Sequence, residues 1–197
     1  MPALQYFPNI ACYVSSIRGD VFDSIGAEPY RKMSFRNRCI IAAANGPLTL
    51  SIPIVGGRGV RIPYRDVLIC ERQDWRGRHW KTIASAYGKA PWFLQYAEGL
   101  EALYQTPHER LMDWNLSCLE WVDKSLGMKN VERRGCIASE SSLTEDRFTP
   151  RRYDDPMYGP FPAYFQLFEE KHGFLPNLSI LDFVMCAGMP GRQLLGL

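Results

Sequence analysis

No stretch of the 197-residue chain approaches the roughly 18 consecutive apolar residues that cross a bilayer. The longest candidate, Leu178 to Met189, is broken by Ser179, Asp182 and Gly188. Neither sign of charge is in excess: 23 Lys and Arg stand against 21 Asp and Glu, a formal net charge of +2. That balance gives no global field for nucleic acid or anionic lipid. There are only three histidines, and the six cysteines are scattered without C-x-x-C or Cys/His spacing. The pattern predicts free thiols in a reducing compartment, no metal site and no cofactor. Gly56-Gly57-Arg58-Gly59 lacks the Lys-Ser/Thr ending of a phosphate-binding loop and reads as a flexible loop. No G-x-S-x-G nucleophile elbow occurs. The opening MPALQYFPNI has neither a basic region nor a long apolar core, so it does not read as a signal peptide, and a cytoplasmic location is expected.

What is present is an ordinary globular composition, 46% hydrophobic and 22% charged. The length predicts one domain over 1–197. The first half reads as short strands. Alternation from Phe35 to Ala42 and from Leu48 to Val55, around Asn45-Gly46, predicts a hairpin whose second strand carries Pro47 and Pro53 and lies toward an edge. Val67 to Cys70 reads as a further short strand. The period then turns helical. Asp74 caps a helix from Trp75 to about Lys89, a second runs from Trp92 to about Tyr104, and a third from about Arg110 to Leu126, ending at Gly127. Residues 128–162 are polar and charged, a surface excursion or flap. Ser179-Ile180-Leu181-Asp182 fits a capping box opening a last helix that stops at Gly188. Strands followed by helices place the fold in the α/β or α+β class.

Two polar residues fall where apolar ones belong. On a helical wheel His79 lies between Trp75 and Ile83, on the apolar face of the first of these helices. It is either a core histidine bonded to backbone or a proton-transfer group. Asn115 lies near the centre of the stripe formed by Leu111, Trp114, Cys118 and Val122. It either ties its helix to a neighbouring segment or lines a polar cavity. Arg36, Asn37 and Arg38 follow Lys32 in a strand-like run, which puts both guanidiniums on one face. They form either an anion clamp or a solvated edge. Cys39 is the nearest thiol, in an apolar strand position that favours burial over reactivity.

Several segments are familiar in this order. They are Tyr6-Phe7-Pro8, Lys32 with Arg36-Asn37-Arg38, Leu50-Ser51-Ile52-Pro53, Trp75 through Ile83, Ala90-Pro91-Trp92-Phe93, Leu111 through Asn115, and Pro176 through Asp182. Together they resemble the WbqC-like family, in the shorter form associated with Bacteroidetes. The resemblance implies a bacterial cytoplasmic protein in surface-polysaccharide (O-antigen-like) biosynthesis. It also implies signature polar residues at Lys32, Arg36, Asn37, Arg38, His79, Asn115, Ser179 and Asp182. The segment before Tyr6 lacks the Gln-Pro often found in the family.

Two functions are compatible with these residues. One is an acyl- or aminoacyl-transferring enzyme. His79 would be the general base, Asn115 would orient substrate or stabilise an oxyanion, and Lys32, Arg36, Asn37, Arg38 and Trp75 would bind substrate. Its partners would be a small-molecule donor with an anionic group and an amino-sugar or amine acceptor. The other is a non-catalytic protein binding a sugar nucleotide or a partner enzyme through a surface of Trp75, Trp92, Tyr164 and Phe165.

Overall fold

The computed structural model describes residues 4–17, 26–27, 29–31, 33–56, 62–128, 150–159 and 161–196. The fold is mixed α/β, with a two-stranded hairpin followed by helices. β1 (Arg38–Ala43) pairs antiparallel with β2 (Gly46–Ser51), from Arg38 opposite Ser51 to Ala43 opposite Gly46. The loop is Ala44-Asn45, one residue earlier than the Asn-Gly pair predicts. Gly46 opens β2 at φ +104° with open space around its missing side chain, so the position selects glycine for backbone freedom alone.

The N-terminal segment departs from the strand reading. α1 (Ile10–Ile17) is a helix. Asn9 caps it, its Oδ1 accepting from Cys12 N at 2.8 Å, and Asn177 Oδ1 accepts from Ala11 N at 2.9 Å. The predicted first strand also starts too early. Phe35, Arg36 and Asn37 form a turn before β1, so Arg36 and Arg38 do not share a strand face. Val67 to Cys70 makes only isolated bridges, Ile54 to Ile69 and Leu68 to Arg110. It lies between two partners, with Cys70 N donating to Pro53 O and Ile69 N to Glu109 O. Pro53, which has no N–H, interrupts the ladder at that point.

The helices follow the predicted periods closely. They are α2 (Trp75–Tyr87), α3 (Phe93–Gln105) and α4 (Leu111–Ser125). Asp74 caps α2 by accepting from Gly77 N, and Gly127 leaves α4 at φ +67° while Met128 N bonds back to Asp123 O. α5 (Glu169–His172) is one turn, and α6 (Ile180–Cys186) is buried along its whole length. Gly188 ends α6 at φ +60°, where a Cβ would stand 2.5 Å from the Trp92 ring. Of the polar excursion, 129–149 lies outside the described residues. The part after it carries two 3₁₀ turns, and Tyr153 and Tyr158 pack on a small cluster of Cys12, Phe35, Ile40, Ala42 and Leu178.

The main core joins α1, the hairpin and the faces of α2, α3, α4 and α6. The chain's two ends close it. Ile10 N donates to Leu178 O, Ile180 N to Pro8 O, and Ser179 N to Ile40 O. The Ser179 hydroxyl donates to Phe7 O and accepts from Leu181 N. The capping box is therefore half formed. Ser179 caps α6, while the Asp182 carboxylate turns inward, because the Ser179 N–H it would have accepted from is already held by β1.

Candidate functional site

The site residues gather where β1 begins and β2 ends. His79 is buried on the inner face of α2, as the wheel predicts, with Trp75 edge-on at 5.3 Å between ring centroids. Its Nδ1 stands 2.9 Å from the Tyr6 hydroxyl. Burial lowers its pKa to about 4, a backbone hydrogen bond to Ser51 works against that shift, and Arg78 adds to it. A bond that favours the charged ring runs to a carbonyl oxygen. In the neutral ring a proton held toward Ser51 would leave Nδ1 to accept the Tyr6 O–H. Tyr6 in turn meets the Tyr104 hydroxyl, and burial raises both phenols well above their ordinary range. Ser51 is the partner of Arg38 in the hairpin register, which brings His79 to the same strand end as the Arg-Asn-Arg turn.

Asn115 is fully buried on α4 and crosses to that turn. Its Nδ2 donates to the Arg36 carbonyl and to the Tyr64 hydroxyl, each at 2.6 Å. A carbonyl can only accept, so the amide orientation is fixed and Oδ1 faces away; Oδ1 has no partner among the described residues. Arg36 is fully buried, contrary to the solvated-edge reading. One guanidinium nitrogen donates to Pro29 O at 2.9 Å, and the group lies 5.0 Å over the Tyr64 ring. Asn37 donates through Nδ2 to Ile52 O at 2.8 Å, leaving Oδ1 buried without a partner among the described residues. Arg38 is half-buried, and its Nε likewise has none. Tyr30 lies within reach of both guanidiniums; its pKa is pushed up to about 12 by burial, with Arg38 and Arg36 pulling the other way.

The structure thus gathers Arg36, Asn37, Arg38, His79 and Asn115 around one strand end. Lys32 lies outside the described residues. Trp75 is core, 1% exposed and packed edge-on against Trp114 as well as His79, and Tyr164 is buried too. The aromatic binding surface of the second reading is corrected accordingly: of its four members, only Phe165 is exposed and Trp92 is half-buried. Cys39 is buried beside the Tyr6 hydroxyl, and burial drives its thiol pKa upward, away from nucleophilicity. Cys70, Cys118 and Cys186 are free thiols as well.

Sequence reasoning missed a second buried centre. Asp182 is fully buried. Its Oδ1 accepts from Tyr87 OH at 2.7 Å, its Oδ2 from Tyr164 OH at 2.6 Å, and Gln166 stands 3.4 Å from Oδ2. Burial raises its pKa to about 6 against these hydrogen bonds. The resemblance did mark Asp182 as a signature polar residue, but the capping-box pattern gave it a local role, and a tyrosine in an apolar stripe looks like any core aromatic. Among the described residues no cluster of three His, Cys, Asp or Glu side chains could hold a metal, and no helix is long and apolar enough to cross a membrane.

The fold and these centres define a mixed α/β chain whose apolar core encloses buried polar side chains. The chain belongs to the WbqC-like protein family, whose model matches residues 1–149. Ser179 and Asp182 therefore lie beyond the matched segment. No curated protein and no solved structure matches the chain.

Proposed function

We propose that the chain is a group-transfer enzyme of bacterial surface-polysaccharide biosynthesis, working in the cytoplasm without a cofactor. It moves an acyl or aminoacyl group from a small anionic donor to an amino-sugar or related amine. One observation carries the reading. At a single strand end, Arg38 Nε and Asn37 Oδ1 are buried without partners among the described residues, beside the buried Arg36 guanidinium. Folding penalises such groups, and a ligand is what would satisfy them. A bidentate donor phosphate or carboxylate suits the guanidiniums, and Asn37 Oδ1 suits an acceptor N–H. Asn115 holds the turn in register through the Arg36 carbonyl. In the transfer, the amine nitrogen bonds to the acyl carbon, the donor leaves with the bonding pair, and the amine proton passes to His79. That ring is neutral at pH 7 and can accept a proton once Tyr6 swings off Nδ1.

A second reading, a binding protein for a sugar nucleotide, is favoured by one fact: Nδ1 of His79 is already paired with the Tyr6 hydroxyl at 2.9 Å. A thermal-shift panel of nucleotide-sugars, acyl-CoAs and aminoacyl donors, followed by mass-spectrometric assay of each hit with amino-sugars, tests both. Group transfer requires a donor hit that is lost in Arg38→Ala, and turnover that collapses in a folded His79→Gln. A hit without turnover leaves the binding protein. No hit at about 1 mM ligand removes the donor site altogether.

A further inference from the structure

At the other end of the hairpin, on its outer side, lies a groove of about 450 Å³ that the strand-end site does not use. It opens between the Ala44-Asn45 turn and the outward face of α2, with Phe168 as one wall. Small side chains at Ala43, Ala44, Gly46, Ser85 and Ala86 leave the space open. The rim is pinned from outside, because Lys171 Nζ and His172 Nε2 both donate to Ala44 O, at 2.6 and 3.0 Å. Lys81, Asn45 and Ser85 line the groove with polar side chains that make no hydrogen bond or ion pair among the described residues, and no lining residue is acidic. Glu169 and Glu170 are on the neighbouring one-turn helix but outside the lining. Pro47 and Leu48 add apolar floor.

An apolar concavity of this size, with a few polar groups at its edge, has the form of a small-molecule site. Lys81, with Lys171 and His172 already held on Ala44 O and no acid in the lining, selects a single anionic group, and a phenyl wall with a small volume selects a ring rather than an extended chain. We propose that this groove binds a small organic anion, a phosphate or carboxylate carried on one ring. Lys81 meets the anion, Ser85 and Asn45 meet polar substituents, and Phe168 lies against the ring. The site is separate from the Arg36–Arg38 strand end and does not depend on the function proposed for it.

The test is an amide-resolved NMR titration of the full chain with phenyl phosphate, benzoate, glucose 6-phosphate and inorganic phosphate. Saturable shifts are expected at Asn45, Gly46, Thr82 and Ser85, for at least one ring anion. Lys81→Met should weaken that binding roughly five-fold, as for an exposed charge pair. Ser85→Trp, at an exposed position, should fill the groove and abolish it, while Arg38→Ala leaves it unchanged. Phosphate and benzoate arms separate the two anion sources. Absence of saturation for every ring anion at about 10 mM would overturn the site. So would shifts that survive Ser85→Trp, or shifts confined to the Arg36–Arg38 turn. Inorganic phosphate binding as tightly as phenyl phosphate would overturn the ring.

Discussion

Two tyrosine-lined centres share one core and hold opposite kinds of ionisable group. At the open end of the hairpin, Tyr6 and Tyr104 accompany the neutral imidazole of His79. Toward the turn end, Tyr87 bonds both the Ala42 N–H and Asp182, and Tyr164 completes the carboxylate's shell. The same burial acts on both. It lowers the pKa of the base to about 4 and raises that of the acid to about 6, each toward its uncharged form. The difference lies in what the hydroxyls do. Around Asp182 two O–H donors converge on an acceptor and hold its ionised form near neutrality. Around His79 one hydroxyl faces Nδ1, and the Ser51 backbone only partly offsets the burial that keeps the ring uncharged.

The largest expected effect comes from acidification. His79 is depressed from 6.5 to about 4, so the unfolded chain binds a proton that the folded chain refuses. Its contribution is complete above pH 6.5 and is lost as pH falls toward 4, about 3 kcal/mol in all. Asp182 is raised from 3.8 to about 6, so the folded chain takes the proton first. Its contribution is gained as pH falls from 6 to 3.8 and lost again on the way up, also about 3 kcal/mol. The two oppose each other over nearly the same window. Denaturant titrations from pH 4 to 7 should therefore show a shallow wild-type profile. His79→Gln should grow more stable on acidification, and Asp182→Asn less stable. Parallel profiles for the two variants would break the comparison.

Deleting single hydroxyls sharpens it. Tyr164→Phe removes a donor to a carboxylate and should cost about 2 kcal/mol, whereas Tyr104→Phe removes a neutral bond and should cost about 1 kcal/mol. Urea midpoints at pH 7 measure both, and equal losses would mean that Asp182 is protonated there. Ser179→Ala, which loses the α6 cap and the bond to Phe7 O, should cost about 1 kcal/mol by the same measurement. Arg38→Ala belongs to neither centre and should change stability by less than about 0.5 kcal/mol. A larger loss would make Arg38 a structural residue and weaken the donor-site proposal.

The helices were legible because local signals agreed: a 3.6-residue period, Asp74 before α2, Gly127 after α4. α1 was not, since β-branched Ile10, Val14 and Ile17 hide an eight-residue helix whose cap comes partly from Asn177, far along the chain. His79 and Asn115 were readable as misplaced polar groups on regular elements. Arg36 was not. An arginine beside another arginine looks solvated, and the Tyr64 ring, far along the chain, and the Pro29 carbonyl help to make its burial tolerable. Asp182 was concealed for a different reason: a local rule gave it a partner that β1 had already taken.

The pairing of Asn9 with Ser179 also sets a schedule for synthesis. The segment around Asn9 is synthesised about 170 residues before those that help to cap α1 and hold Phe7 and Pro8. At ordinary elongation rates that is a wait of roughly 10 to 30 s. Through that interval Tyr6, Phe7 and Ile10, buried in the finished protein, have no complete core to enter. A nascent chain of this protein therefore exposes the apolar stretch around Tyr6 to Ile10 until α6 emerges, and that interval is when a chaperone would find it.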